Sequence, residues 1–137
     1  MNSAARVGLA LWLTASAVQA AEPYNGSQPM MCRPTAGHDC LPTENACKKI
    51  VPEAGKDLTM RIDIHANSIK TPFRNDPLPI QAISFNTASM ILQGTSLEYV
   101  WSATVHRTTG KLTIAIADRE GAYIIFGQCA IEQAKGS

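Results

Sequence analysis

The residues predict a mainly β protein: an antiparallel meander forming a small curled sheet or barrel, preceded by an irregular, disulfide-stapled N-terminal arm. Three observations carry that expectation. Leu58, Met60, Ile62 and Ile64 alternate with Thr59, Arg61, Asp63 and His65, the period of two that marks a half-buried strand. The last third holds three β-prone runs, 97–106, 111–117 and 122–129, joined by connectors that both end in glycine. Five prolines and three of the four cysteines fall between residues 21 and 55, a composition that disfavours long regular elements.

The start of the chain carries a different signal. Arg6, the apolar stretch Val7 to Ala17, and Val18-Gln19-Ala20 ahead of Ala21 have the anatomy of a secretory signal peptide cut after Ala20. The apolar stretch falls short of the roughly 20 residues that span a bilayer, and no later stretch is long and uncharged enough. No transmembrane segment is therefore expected in the mature protein, and Cys32 lies too far past the cut for a lipid anchor. The expected location is periplasmic or secreted. Asn25-Gly26-Ser27 matches the N-glycosylation pattern, which matters only in a eukaryotic host.

The expected organisation is a signal peptide over 1–20, a Pro/Cys-rich arm over 21–56 and an antiparallel β-domain over 57–137, arm and sheet making one folded domain. About 117 mature residues suffice to bury roughly two-thirds of the unfolded surface, so the disulfides support a core without replacing it. Losing Arg6 with the signal leaves eleven basic and eleven acidic side chains. That balance, with no Lys/Arg cluster, argues against nucleic acid as a partner.

Taken in order, Pro42-Thr43 is expected to open a short helical turn through Glu44 to Lys49, capped by Thr43 and stopped by Pro52. The alternating run 58–64 is the first strand. Residues 67–79 read as a loop because Pro72, Pro77 and Pro79 exclude helix, with Ile69 and Phe73 tucked against the core. Two shorter strands follow, 80–85 and 89–93, closed by Gly94. The connectors Arg107-Thr108-Thr109-Gly110 and Asp118-Arg119-Glu120-Gly121 both suit a type I turn followed by a left-handed glycine. In that register Asp118 faces Ala122, and Ile116/Ile124 and Ile114/Phe126 share the core face. Tyr99, Trp101, Ala103, Val105, Ala115, Ala117, Tyr123 and Ile125 fall on the other, which is too apolar to stand uncovered. About six strands are expected.

Cys32, Cys40, Cys47 and Cys129 are read as disulfides, because an oxidising compartment favours them. Four cysteines allow three pairings, which the spacing does not distinguish. A bridge to Cys129 closes by far the longest loop and is expected to stabilise most.

No catalytic residue, metal ligand or cofactor motif is assigned. His38-Asp39-Cys40 with Met30-Met31-Cys32 offers soft groups for copper, but without the repeated Met/His spacing such sites use. Ser102, His106 and Asp118 make a nominal Ser/His/Asp set, which only geometry can validate. His65 has no nucleophile or carboxylate motif beside it. Tyr99, Trp101 and Tyr123 form a possible binding patch, since aromatics with a polar tip favour interfaces; the competing role is core packing.

The tail from Val105 to Cys129, with His106-Arg107-Thr108-Thr109-Gly110-Lys111-Leu112 and the closing Gly127-Gln128-Cys129, resembles the end of small exported bacterial β-proteins of uncharacterised role. That resemblance covers about a quarter of the chain and implies fold and export. A second comparison is with the periplasmic inhibitors of c-type lysozyme, small disulfide-tied barrels whose inhibitory loop reads Ser-Gly with a Tyr three residues beyond the Gly. Here Glu120 stands in the serine's place and Tyr123 follows Gly121 by two residues. The function expected is a non-catalytic binding or envelope-associated role, with another protein or an envelope component as partner. The alternatives are a lysozyme-inhibitor-like barrel, a copper-binding protein and a small hydrolase.

Overall fold

The longest strand lies where the composition argues most strongly against one. In the computed structural model, which describes residues 22–134, β1 runs from Met30–Cys40 through Pro34. It survives the proline because its register shifts between Pro34 and Ala36, a bulge at which the missing N–H interrupts no ladder bond. The extra residue, Thr35, donates its hydroxyl to Phe126 O at 3.3 Å. The arm is thus irregular only outside β1 and β2, and β1 is a central strand of the sheet. The proposed signal peptide, 1–20, lies outside the described residues.

Ten strands follow in order: β1, then β2 (Lys48–Ile50), β3 (Met60–Asp63), β4 (Ser68–Lys70), β5 (Leu78–Pro79), β6 (Ala82–Phe85), β7 (Ser89–Thr95), β8 (Tyr99–His106), β9 (Lys111–Asp118) and β10 (Ala122–Ile131). No helix occurs among the described residues. The sheet is antiparallel in the order β5-β4-β3-β1-β10-β9-β8-β7-β6, with β2 paired to β1 beside that path. It curls into a half-barrel whose two edges come together. Ile80 N–H donates to Asn67 O beside β4 and Gln81 N–H to Gln93 O of β7, so two consecutive residues between the edge strands β5 and β6 extend the pairing on each side.

The helical turn expected at 43–49 is replaced by a hairpin. The Cys40–Cys47 disulfide folds the segment back, and β2 pairs Lys49 with His38 and Ile50 with Gly37. A crosslink over seven residues leaves a turn, closed by Glu44 N–H to Leu41 O at 3.2 Å, but no room to build a helix. The expected loop 67–79 likewise contains β4 and β5, strands of three and two residues that are too short to give a periodic signal. Ile69 is buried as expected, whereas Phe73 is 66% exposed.

The β8–β9 hairpin matches its turn chemistry: Gly110 takes a left-handed φ of 71° and its N–H donates to His106 O at 2.9 Å. The β9–β10 hairpin departs from the expected register by one residue. Asp118 Oδ1 accepts from the N–H groups of Glu120 and Gly121 at 2.7 and 2.8 Å, and Asp118 N–H donates to Gly121 O at 3.0 Å. This Asx turn leaves a two-residue loop, and Gly121 has no left-handed φ. Ile116 therefore pairs with Tyr123 and Ile114 with Ile125. A one-residue slip exchanges faces. Tyr99, Trp101, Ala103 and Val105, expected opposite Ile114 and Ile116, share the inner face with them, because β8 pairs Trp101 with Ile116, Ala103 with Ile114 and Val105 with Leu112. Tyr123 and Ile125 join them there, while Ile124 and Phe126 turn outward with Ala115 and Ala117.

The core is solid at one end of the half-barrel. Met30, Cys32, Ile62, Met90, Leu92, Val105, Leu112 and Cys129 are almost wholly enclosed. The Cys32–Cys129 bridge lies among them and joins directly paired residues of β1 and β10. Tyr24 closes this end: its hydroxyl donates to Cys129 O at 2.8 Å and its ring occupies the place a side chain on Gly110 would need.

Candidate functional site

Burial along the inner face changes steadily from one end of the half-barrel to the other. On β8 it falls from Val105 (0% exposed) and Ala103 (1%) through Trp101 (6%) to the partly exposed Tyr99. On β9 the same order runs from Leu112 to Ile114 to Ile116. The alternation that places these residues inward is continuous, so the gradient reflects how the sheet curls and not a change in side-chain character. At the Tyr99 end the side chains no longer meet across the interior. A cleft of about 320 Å³ remains.

Its walls come from both halves of the sheet, with Met60 and Ile62 of β3 opposite Tyr99 and Trp101 of β8, and Ile116 and Ile125 completing the floor. The loop between β4 and β5 forms the rim, where Thr71, Phe73 and Arg74 stand. The lining is almost entirely apolar, and the volume sits at the lower end of the roughly 300–1,000 Å³ typical of small-molecule sites. Trp101 rests against Gly94, where any Cβ would overlap its ring, and its Nε1 is buried without a protein acceptor.

Arg74 is the cleft's one charged lining residue. Its Nη1 approaches Ser96 Oγ at 3.4 Å, and no carboxylate lies within 4.0 Å of it among the described residues. The protein's other engaged arginines contrast with it. Arg61 is clasped by Glu132 through Nε at 2.9 Å and Nη2 at 2.8 Å, with Asp63 at 3.1 Å from Nη1, and Arg107 pairs with Glu22 and lies over the Phe85 ring. Ala66 N–H, and then the Arg61 guanidinium, hold the Asp63 carboxyl below the usual carboxylate range against the opposing effect of burial.

Of the aromatic patch expected from the residues, Tyr99 and Trp101 line the cleft. Tyr123 shares their face and their end of the sheet, paired with Ile116, but is not part of the lining. Trp101 is therefore a wall of the interior and not an exposed surface residue. Phe73 and Arg74 completed the site from a loop that had no periodicity to reveal them. The available signal was Pro72-Phe73-Arg74 itself, an aromatic beside a cation in a proline-bounded loop.

The other candidates do not converge. His106 and Asp118 stand at opposite ends of the β8–β9 hairpin, about 20 Å apart at the rise of a strand, so Ser102, His106 and Asp118 form no triad. His106 Nδ1 instead accepts from the N–H groups of Thr108 and Thr109, and His65 Nε2 lies 3.3 Å from Ser27 O. The soft ligands near Cys32 and Cys40 are split: both cysteines are in disulfides, Met30 is in the core, and His38 lies edge-on to Phe126 outside. No cluster of three or more His, Cys, Asp or Glu suited to a metal occurs among the described residues. The Asp118–Gly121 turn lies against Cys40 and Leu41.

A second, more open groove of about 450 Å³ crosses the outer face of β7 to β10, over Gln93, Val100, Ser102, Ala115, Ala117 and Ile124. No helix among the described residues is long and apolar enough to cross a membrane. Comparison with known proteins finds no matching family model, no matching curated protein and no matching solved structure.

Proposed function

We propose that this chain is an exported, non-catalytic binding protein whose ligand site is the open end of the half-barrel. The observation that carries the reading is the burial gradient along β8 and β9, which leaves a preformed apolar cleft where an otherwise regular sheet would have closed on itself. Such a cleft takes up apolar ligands because it removes their surface from water at little cost in ordering the protein. Export rests on the signal-like residues 1–20, and the two disulfides fit an oxidising compartment. N-terminal sequencing of the protein recovered from the cell envelope should begin at Ala21.

Titration with N-phenyl-1-naphthylamine, whose emission rises in apolar surroundings, tests the cleft. Saturable enhancement is expected, and Thr71→Trp, which fills the rim from a half-exposed loop position, should remove it without moving the thermal midpoint. No enhancement, or the same enhancement in the variant, would exclude the cleft as the site.

A second reading is favoured by Val100 (54% exposed) and Phe126 (41%) on the outer face. They give the half-barrel an apolar outer stripe of the kind that contacts protein partners. Retention of an envelope protein by the wild type and its loss with Val100→Asp would support that reading.

A further inference from the structure

The cleft has a charged rim as well as an apolar interior, and the two together specify a ligand. We propose that it binds a free single-chain fatty acid, the hydrocarbon chain lying against Trp101, Ile116 and Ile125 and the carboxylate at the rim on Arg74. The inference rests on the cleft being the binding site and goes beyond it by naming the ligand's charge and shape.

Three features of the site select this occupant. The interior offers almost no polar partner, so the buried part of the ligand has to be hydrocarbon; a sugar, peptide or nucleotide would lose its hydrogen bonds to water without replacement. A volume near 320 Å³ accommodates one acyl chain but not the paired chains of a phospholipid. Arg74, unlike Arg61 and Arg107, has no carboxylate of the protein against it among the described residues, so its guanidinium is available to a ligand's carboxylate. Ser96, already beside Arg74 Nη1, offers a hydroxyl donor to the same headgroup.

The geometry also sets the polarity of binding. Arg74 stands on the loop at the mouth and Ala103 and Ile114 lie deepest, so the chain enters methyl end first and the headgroup remains at the surface. The charge is thereby satisfied without being buried, which avoids the desolvation cost of an enclosed ion pair.

Trp101 is the one tryptophan after residue 20, so its fluorescence reports on the cleft directly in the processed protein. The test compares decanoate, decanol and decylamine, alike in chain and different in headgroup, by Trp101 quenching and by isothermal titration. Decanoate should bind about fivefold more tightly than decanol, the scale of one partly exposed charge-assisted pair, and decylamine more weakly than either. Arg74→Gln should bring decanoate to the level of decanol while leaving decanol unchanged. Equal affinity for decanoate and decanol in the wild type, or a preference that persists in Arg74→Gln, would overturn the fatty-acid assignment while the apolar cleft stood. Binding of none of the three would overturn both. Arg74→Lys, which keeps the charge, should retain most of the preference.

Discussion

The indole of Trp101 occupies the space in which Gly94 would carry a side chain: a Cβ there would stand 2.6 Å from Cζ2 of the ring and 2.8 Å from Pro79 O. The contact joins the pair at which β7 and β8 meet to the neighbouring edge strand β5, and so helps to hold the curl that leaves the cleft open. Gly94→Ala should cost about 1–3 kcal/mol by overpacking, because one of the two obstructing groups is backbone and cannot turn aside. Chemical denaturation would measure the loss. The emission of Trp101 should shift in the folded variant, since the ring must move.

The two disulfides differ in what they constrain. Cys32–Cys129 closes 97 residues and lies in the core, whereas Cys40–Cys47 closes seven and Cys47 is exposed. Loop-closure entropy alone assigns about 4.7 kcal/mol to the first and about 2.4 kcal/mol to the second. Replacing each pair by alanine should lower the thermal midpoint distinctly more for the long bridge. Equal losses would show that the denatured chain, or strain in the native one, outweighs loop length.

Tyr24 and Gly110 form a further coupled pair. Tyr24→Phe should cost about 1 kcal/mol by leaving Cys129 O without its hydroxyl donor. Gly110→Ala should cost more, because the residue is left-handed and its Cβ would meet the Tyr24 ring. Their effects should be non-additive in a double-mutant cycle, since the ring that clashes is the one that carries the hydroxyl.

Asp63 predicts part of the acid sensitivity. Its carboxyl is held low in the folded protein by Ala66 N–H first and by Arg61. A folded value below the unfolded one means that the stabilisation is fully present above about pH 4, where the unfolded carboxyl is ionised, and is lost as pH falls through the folded value. Asp63→Asn should flatten the fall in stability between about pH 5 and pH 2, read from denaturation midpoints across that range. An unchanged slope would mean that other carboxylates carry the transition.

Much of the sheet was legible because it rests on local pattern. The alternation around Met60 and Ile62 places both inward wherever the strand pairs, and the glycine at 110 matches a turn that needs a left-handed residue. The register of β10 was not legible. The Asp118 side chain chose a shorter loop through hydrogen bonds to Glu120 and Gly121, and one residue of difference exchanged Ile124 and Phe126 for Tyr123 and Ile125 on the inner face. β1 was hidden for a related reason, since Pro34 reads as a breaker unless a bulge is known to absorb it.

The all-β class and the inward alternation of β3 and β9 follow from residue types and short spacings alone, because they depend on interactions between near neighbours along the chain. The inward face of β8 follows only once Trp101 is paired with Ile116 and Ala103 with Ile114. The pairing of Cys32 with Cys129, the central place of β1 and the cleft itself depend on where distant strands come to lie. Tyr99, Trp101, Ala103 and Val105 are all apolar or aromatic and all face inward, yet the first two line an opening and the last two a filled core. That difference arises from the curl of the whole sheet and from the β4–β5 loop that sets Phe73 and Arg74 at its mouth, a long-range property that no local pattern encodes.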